Sequence, residues 1–473
     1  MNSCGLLKGR ERITTTMNPT SSNILELLDT VLPIHNRNRV QVDYLYNYYK
    51  GEQPILNRIK KIRPDINNKI VENHAYEIVE FKTGYTFGQP IQYIQRGKDD
   101  NPNTSSAVSQ LNEIMHMNDK STKDREIGEW MFVCGVGYRM ILPSRKGNLS
   151  PVRFDSMDPR NTFVVYDAGF GREPVLGVTY VESELNGEPV VDYGVYSKDR
   201  YWLIRENGIQ ERRIIRDLPL ILGDIPIIEY VANPSRMGVF EPVIDLLDTI
   251  NNVTSNRMDG IEQFIQSFIK FVNCDIDEKD FKNLSDLGAI KISSTDNKKA
   301  DVEIITSELD QTQTQTLIDY LYQTVLTITG VPDRQASAGG NTGQALTIGQ
   351  GWATAESRAS ATELMFKRSE TRFLNIVLNI LKENDNYKEL HELSIQEIDT
   401  KFTRNKTDNL LVKTQGLQNM LEAGVHPREA FAHANLFSDP EQIYNDSKEY
   451  LEKWKFSKGS ETNQKPNPIN ELE

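Results

Sequence analysis

Ile225-Pro-Ile-Ile-Glu-Tyr-Val231 begins the part of the sequence that decides the fold of this chain. It continues through Ala232-Asn-Pro-Ser-Arg-Met-Gly238 and ends at residue 272. The first seven residues are typical of a buried strand, and Asn, Pro and Gly mark the next seven as a turn. After the turn, apolar or helix-compatible residues recur at steps of three and four, which predicts one continuous helix over residues 240–272. This stripe consists of Val243, Leu247, Ile250, Thr254, Met258, Ile261, Ile265, Phe268 and Val272. Such a helix would be roughly 50 Å long and indicates a bundle, a coiled coil or the wall of a ring.

The opposite face of the predicted helix is polar. Its members recur at the same spacing and are Asp245, Asp248, Asn252, Asn256, Asp259, Gln263, Gln266 and Lys270. A helix with two distinct faces can pack against its neighbours on one side and line a channel on the other. We therefore take Asp245, Asp248, Asn252, Asp259, Gln263 and Lys270 as candidates for a channel-facing surface. A plain solvated face is the alternative, because the sequence does not fix the rotation of the helix.

The composition narrows the class of protein. A length of 473 residues suggests two to four domains, and the formal net charge of −13 argues against a protein that grips nucleic acid by neutralising phosphates. An acidic wall that surrounds DNA without holding it stays open. The three cysteines form no CxxC pair, so a reducing cytoplasm is the simplest compartment and no disulfide or zinc site is favoured. The sequence predicts neither a signal peptide nor a membrane span.

The pattern before the turn predicts an α+β domain that ends near residue 230. Predicted helices cover residues 22–32, 36–50, 68–83, 107–117 and 121–133, and predicted strands cover 91–95, 138–142, 152–155, 162–166, 175–181, 190–196 and 201–205. Residues 1–17 are expected to form a flexible arm, within which Met17 is an alternative start.

The pattern after residue 273 predicts a small α/β lobe with strands at 289–293 and 302–305, followed by more helices. A second helix over 309–329, with its apolar face at Leu317, Leu321, Val325 and Ile328, is expected to return antiparallel to the first. A glycine-rich loop and a third long helix over 344–383 follow. Beyond these we expect a strand at 398–402, helices at 407–423, 427–434 and 440–456, and a disordered tail over 457–473.

Several short motifs occur in an order that resembles the portal proteins of long-tailed double-stranded DNA bacteriophages. The segment 229–255 carries Asn233, Gly238, Glu241, Asp248, Asn251 and Ser255. The other pieces are Tyr48-Tyr-Lys-Gly51, Gly84-Tyr-Thr-Phe-Gly-Gln-Pro90, Asp158-Pro-Arg-Asn-Thr-Phe-Val-Val-Tyr-Asp167 and Gly340-Asn-Thr-Gly-Gln-Ala-Leu346. Each piece is short, but their order and spacing along most of the chain are fairly specific.

The resemblance implies an α+β protomer with a wing, stem, clip and crown that assembles into a ring of twelve subunits, or thirteen when isolated. The implied division is an arm (1–17), wing (18–238), stem helix (239–273), clip (274–306), second stem helix (307–329), tunnel loop (330–343), long wing helix (344–386), crown (387–456) and tail (457–473). It also implies a place at one capsid vertex of the virion after assembly in the host cytoplasm. The implied partners are double-stranded DNA that passes without sequence specificity, the terminase large subunit, head-completion or adaptor proteins, and the major capsid and scaffolding proteins; neither a cofactor nor a membrane is implied.

Two loops carry the remaining candidate residues. The candidates for a DNA-facing tunnel loop are Arg334, Gln335, Gly339, Gly340, Asn341, Thr342, Gly343 and Gln344, where glycines permit movement and the polar side chains can meet phosphates or sugars. A surface linker between two helices is the alternative. In the clip, Asp277, Lys279 and Lys282 suit partner docking, and a calcium loop is disfavoured because the required glycine and later glutamate are missing.

No motif predicts an enzyme. The chain has no GxxxxGK[ST] motif, no GxSxG and no HExxH, and its glycine pairs at Gly135 and Gly169 lack the third glycine of a dinucleotide loop. Three hypotheses stay open: a DNA conduit, another self-assembling capsid or tail connector without a DNA channel, and a cytoplasmic enzyme whose site forms only in three dimensions.

Overall fold

The computed structural model describes residues 9–61, 63–96, 102–145, 149–185, 187–208, 211–265, 268–272, 274–275, 293–294, 301–305, 311–333, 351–404, 410–434, 436, 443–448 and 450. Up to the turn at 232–238, its helices and strands are β1 (Ile13–Thr15), α1 (Ile24–Tyr49), α2 (His74–Phe87), β2 (Gln92–Gln95), α3 (Pro102–Met117), α4 (Lys120–Cys134), β3 (Val136–Pro143), β4 (Val152–Met157), β5 (Thr162–Asp167), β6 (Pro174–Leu185), β7 (Glu188–Tyr196), β8 (Arg200–Asn207), β9 (Arg212–Pro219) and β10 (Ile227–Val231). After the turn follow α5 (Ile244–Ile265), β11 (Phe268–Val272), β12 (Cys274–Asp275), β13 (Ser293–Ser294), β14 (Asp301–Ile305), α6 (Gln311–Thr329), α7 (Trp352–Lys382), β15 (Ile398–Lys401), α8 (Leu410–Glu422) and α9 (Pro427–Ala434).

Two sheets organise the α+β part. One has six strands in the order β1-β5-β6-β7-β8-β9, in which β1 is parallel to β5 and the other neighbours are antiparallel. The other has the order β10-β3-β4 and is antiparallel. The predicted strands from 138 to 205 are confirmed. Strand β9 was missed because its Arg-Arg-Ile-Ile-Arg-Asp-Leu-Pro sequence is charged, as befits an exposed edge that must not pair with other chains.

Helix α1 joins two hydrophobic cores. Its first half buries Leu27 and Val31 against the six-stranded sheet, and its second half buries Leu45 and Tyr48 in the larger core around α2, α4 and α7. The prediction of two helices separated near Pro33 is wrong, since Pro33 lies inside one continuous helix. Packing on both sides outweighs the hydrogen bond that proline removes.

The N-terminal segment is built into the fold from residue 9 onward, contrary to the predicted flexible arm over residues 1–17. Ile13 is 4% exposed in β1, and Arg10 is buried and paired with Glu241, which precedes α5. Three residues of strand are too short for the alternation of side chains to be visible in the sequence.

The predicted helix over 240–272 is shorter than expected. The 3-10 turn Glu241–Val243 leads into α5, which ends at Ile265, and Phe268–Val272 instead forms β11, paired with β14 from Phe268 opposite Ile305 to Val272 opposite Asp301. Phe268 and Val272, four residues apart, fit one face of a helix and equally one face of a strand, so the apolar pattern could not separate the two.

The C-terminal part returns to the α+β domain before its last helices. Strand β15, which confirms the predicted strand at 398–402, pairs antiparallel with β2, and Leu390 and Leu393 are buried in the larger core. The packing therefore joins the beginning of the segment assigned to the crown with the α+β part. Helices α8 and α9 confirm two predicted helices; residues 443–448 are helical, and most of the other residues of the third lie outside the described part.

Candidate functional site

Two groups of predicted site residues lie outside the residues that the structure describes. They are Arg334, Gln335, Gly339, Gly340, Asn341, Thr342, Gly343 and Gln344 of the tunnel loop, and Asp277, Lys279 and Lys282 of the clip. Their roles stay predictions. The structure does describe α5, α6 and α7, the helices between which these segments are inserted.

The described residues on either side of segment 334–350, which contains most of the predicted tunnel loop, meet at the junction of α6 and α7. Gly330 ends α6 at φ 69°, and a Cβ there would lie 2.6 Å from Cδ of Arg358 in α7. The Arg358 guanidinium donates to the carbonyl oxygen of Ile328 in the last turn of α6, a favourable place for a cation. A Cβ on Gly351 would lie 3.8 Å from Cα of Pro332. The chain thus leaves and re-enters this junction at one place.

One face of α5 holds an extended segment along three successive turns of the helix. The backbone N–H groups of Glu72, Ile70 and Asn68 donate to Asn251 Oδ1 (2.8 Å), Ser255 Oγ (3.0 Å) and Asp259 Oδ1 (2.7 Å), respectively. The spacing matches because four helical residues advance about 6 Å and two extended residues about 6.6 Å. These bonds keep residues 68–73 extended. The predicted start of the helix over 68–83 is therefore wrong, and α2 begins at His74.

Asp259 is consequently not a channel-facing carboxylate. It is 3% exposed, and its Oδ2 lies 2.9 Å from Lys60 Nζ and 3.1 Å from Arg58 Nη2. Although burial alone would raise its pKa, the hydrogen bonds from Asn68 and Lys60 hold the pKa of this carboxyl below its usual range. The helical pattern could not reveal this, because the basic partners come from a segment that is distant in sequence.

The other polar positions on α5 differ in their exposure. Asp248 accepts a hydrogen bond from Tyr48 Oη (2.9 Å), and burial raises the pKa of this carboxyl. Asp245 and Asn252 are exposed and lie seven residues apart on one face. Only the backbone of Gln263 is described within α5. Lys270 belongs to β11, so its predicted place on a continuous stem helix is wrong.

Helix α6 runs antiparallel to α5, as predicted. Arg257, in the second half of α5, donates to Gln315 near the start of α6, whereas the end of α6 lies against Glu241–Val243. The face of α6 predicted to be apolar is only partly covered within the chain: Leu321 is 9% exposed, but Leu317 is 45% exposed.

A cluster of charged side chains connects α6 with the start of α2. The imidazole of His74 lies between Glu72 (3.2 Å) and Glu77 (3.0 Å), and its ring centroid is 4.5 Å from that of Tyr322 in α6. Tyr322 donates its hydroxyl to Glu77 (3.0 Å). Burial lowers the pKa of His74, but the two carboxylates outweigh it and raise the pKa to about 9. The histidine is therefore charged at neutral pH and helps to fix α6. The sequence did not predict this cluster of side chains.

The segment that leads into α5 is fixed by Glu241, a residue singled out by the family resemblance. Its carboxylate is buried and accepts hydrogen bonds from Gly9 N (3.1 Å), Gly238 N (2.8 Å) and the guanidinium of Arg10 (2.7 Å). Arg10 also donates to the carbonyl oxygen of Cys134 at the end of α4. Arg10 thus ties the start of α5 to the α+β core, and its place in a predicted flexible arm gave no indication of this role.

The turn before α5 is shaped by two more residues of the resemblance. The Asn233 side chain donates to the Met237 carbonyl oxygen (2.7 Å) and accepts from the Met237 N–H (3.1 Å). A Cβ at Gly238 would lie 2.2 Å from the carbonyl oxygen of Val133. These residues set the direction in which α5 leaves the core, and they show no arrangement that suggests catalysis.

Within the described residues, no group of three His, Cys, Asp or Glu side chains is close enough to hold a metal ion. In the same part of the chain, no helix is both long and apolar enough to cross a membrane.

Comparison with known proteins gives the same family as the motifs. Residues 28–464 match the family model described as phage portal protein, SPP1 Gp6-like. The chain is also 23% identical over 395 residues to the portal protein of Bacillus phage SPP1, a match that covers 78% of this chain and 74% of that protein. Because the family model spans most of the sequence, the chain belongs to the SPP1 Gp6-like family of phage portal proteins.

Proposed function

We propose that twelve copies of this portal protein form a ring at one capsid vertex and that DNA passes through its centre during packaging and ejection. The family match over residues 28–464 is the observation that carries the proposal. The antiparallel pair α5 and α6 supports it, since apolar side chains of α6 that stay exposed in one chain offer a surface to a neighbouring subunit. Among these are Leu317, Tyr320 and Ile328, which are 45%, 68% and 41% exposed.

The charge of the chain suits a channel that must not hold its cargo. Twelve copies with a net charge of −13 each would carry about −156, which disfavours tight contact with phosphates. Asp245 and Asn252 are the described α5 positions of the predicted polar face that are best placed to line such a channel. The tunnel loop, from Arg334 to Gln344, would supply the closest contacts to DNA, without sequence specificity.

The proposed partners follow from the same role. The ring would dock the terminase large subunit and later the head-completion or adaptor proteins, with Asp277, Lys279 and Lys282 of the clip as contact candidates. Major capsid and scaffolding proteins would surround it at the vertex after assembly in the host cytoplasm. The chain contains no P-loop motif, so the energy for packaging would come from the partner.

Electron-microscope class averages of the purified protein test the proposal, because they show symmetry and channel together. We expect a ring of twelve subunits, or thirteen in isolation, with an open centre. A closed assembly without a channel would instead favour a connector that has no DNA path. A compact monomer or dimer, unchanged by added scaffolding and capsid proteins, would refute the ring.

A further inference from the structure

A cleft of about 1100 Å³ opens between the turn after β5, strand β10 and helix α7. Three carboxylates line it, and an arginine lies near each of them. Asp224 accepts from Arg372 (2.8 Å), Glu229 accepts from Arg236 (2.5 Å), and Glu173 lies 4.0 Å from Arg372. Arg372 and Arg236 therefore offset two of these three negative charges, and with all six Lys and Arg side chains that line it the cleft carries a formal net charge of +3.

Four further cations line the same cleft without such a partner. Among the residues that the structure describes, no carboxylate forms an ion pair with Arg12, Arg172, Lys198 or Arg368. The Nε atom of Arg12 is buried and has no hydrogen-bond partner there, although its guanidinium lies 5.3 Å from the centre of the Tyr166 ring. Unneutralised cations that converge on one concave site, in a chain that is acidic as a whole, indicate an anionic occupant.

The rim of the cleft adds an apolar requirement. Phe170 lies in the turn after β5 and is fully exposed, while Met365 of α7 lines the cleft nearby. A ligand that suits this surface combines carboxylates with apolar side chains. A free phosphate has only the first property.

The hairpin of β6 and β7 has both properties. Near its tip, Val181 is 64% exposed and Leu185 is 48% exposed, and Glu184 and Glu188 are exposed as well. No carboxylate–cation pair that involves Glu184 or Glu188 occurs among the described residues. Pairing continues to Leu185 opposite Glu188, so the tip is a narrow two-stranded ribbon.

The hairpin cannot fill the cleft of its own chain. Strand β6 begins at Pro174, which lines the cleft, and ends at Leu185 near the tip, so about 3.3 Å per residue separates the two surfaces by roughly 36 Å. A contact between two different surfaces, carried on opposite ends of one strand, is the head-to-tail kind that closes into rings. We infer that the β6–β7 hairpin of one copy docks in the basic cleft of the next copy. This inference rests on the proposed ring and assigns one of its subunit contacts.

Charge exchange tests this contact. We would prepare Arg172→Glu with Arg368→Glu, then Glu184→Lys with Glu188→Lys, and a variant that carries all four substitutions. We expect each pair of substitutions to reduce the assembled fraction at least tenfold in analytical ultracentrifugation, and the fourfold variant to restore it. The matched control, Glu113→Lys with Glu126→Lys, changes two exposed carboxylates on α3 and α4 and should assemble like the original chain.

Each outcome decides a separate question. If the unmodified protein forms no ring, the proposed function is wrong, and the contact, which rests on the ring, is wrong with it. If it forms rings and the cleft variant does so equally well, the contact is wrong. The contact is also wrong if the fourfold variant fails to assemble although both double variants keep the circular dichroism and melting temperature of the original monomer. Normal assembly of the cleft variant with lost binding of short duplex DNA would show that the cleft serves phosphates instead.

Discussion

Replacing Glu370 by glutamine should destabilise the α+β core far more than its single lost charge suggests. Glu370, in α7, is 0% exposed and lies between Lys120 Nζ (2.7 Å) and Arg139 Nη1 (3.2 Å). It also accepts hydrogen bonds from the hydroxyls of Tyr93 and Tyr230 (2.9 Å for Tyr230). These five side chains come from α7, α4, β3, β2 and β10, so one carboxylate connects five elements.

The magnitude follows from the charges that remain. In the original chain the two cations face two carboxylates, Glu370 and Asp124. Glutamine at 370 leaves Lys120 and Arg139 with Asp124 alone, and breaking a buried ion pair on one side costs about 3–5 kcal/mol. A loss of about 4 kcal/mol lowers the folding equilibrium constant by about a thousandfold.

Urea unfolding of the unassembled protein, followed by circular dichroism, measures this loss. Glu363→Gln is the matched control, because it makes the same substitution on the same helix, where Arg404 keeps Glu356 as a partner. We expect the control to lose no more than about 1 kcal/mol. A loss for Glu370→Gln that is no larger than for the control would refute the central role of the buried carboxylate.

The pH dependence gives a second test of the same cluster. Burial raises the pKa of Glu370, but Lys120 and Arg139 outweigh it and lower the pKa to about 2. Since the folded pKa lies below the unfolded one, the stabilisation is present above about pH 4.5 and is lost as the pH falls towards 2. The stability difference between the original chain and Glu370→Gln should therefore shrink in acid. A difference that stays constant from pH 7 to pH 3 would contradict this origin.

Three other changes test the stem. Because the pKa of His74 is raised to about 9, its charged form stabilises the fold fully below about pH 6.5 and less as the pH rises through 9. His74→Gln should remove this loss of stability in alkali, which urea unfolding at about pH 6.5 and at about pH 9 would measure. Ser255→Ala leaves the Ile70 N–H without its acceptor and should lower the free energy of unfolding by about 1–3 kcal/mol. An unchanged urea midpoint would contradict the role of this hydrogen bond in holding the extended segment. Gly330→Ala puts a Cβ against Arg358 at a left-handed residue and should lower the free energy of unfolding by about 1–2 kcal/mol; a melting temperature equal to that of the original chain would refute this close approach.

The sequence was most informative where a local pattern settled the structure. Short runs rich in β-branched and aromatic residues, separated by turns, predicted the strands β3 to β8 between residues 138 and 205. The three-and-four spacing likewise predicted α6, in which Leu321 and Val325 are buried. Both signals arise within ten to twenty residues, so no distant partner is needed to read them.

It was least informative where distant side chains decide the local backbone. The helix expected from residue 68 is replaced by an extended segment because Asn251, Ser255 and Asp259 accept its N–H groups from about 180 residues away. The same contacts remove Asp259 from the predicted channel face. Arg10 gave no sign of its buried bond to Glu241, since a single arginine near a terminus resembles any solvated cation.

Helices α5 and α6 differ in how many contacts hold them to the rest of the chain. Helix α5 is joined to the extended segment through three backbone hydrogen bonds, and Glu241 ties its start to Arg10 and Gly238, so rotating it would break bonds in several places at once. Helix α6 depends mainly on its packing against α5, on the Tyr322 contacts and on Arg358, and it keeps apolar side chains exposed. Of these two helices, α6 is therefore the less constrained, and it is the one that the chain follows into segment 334–350.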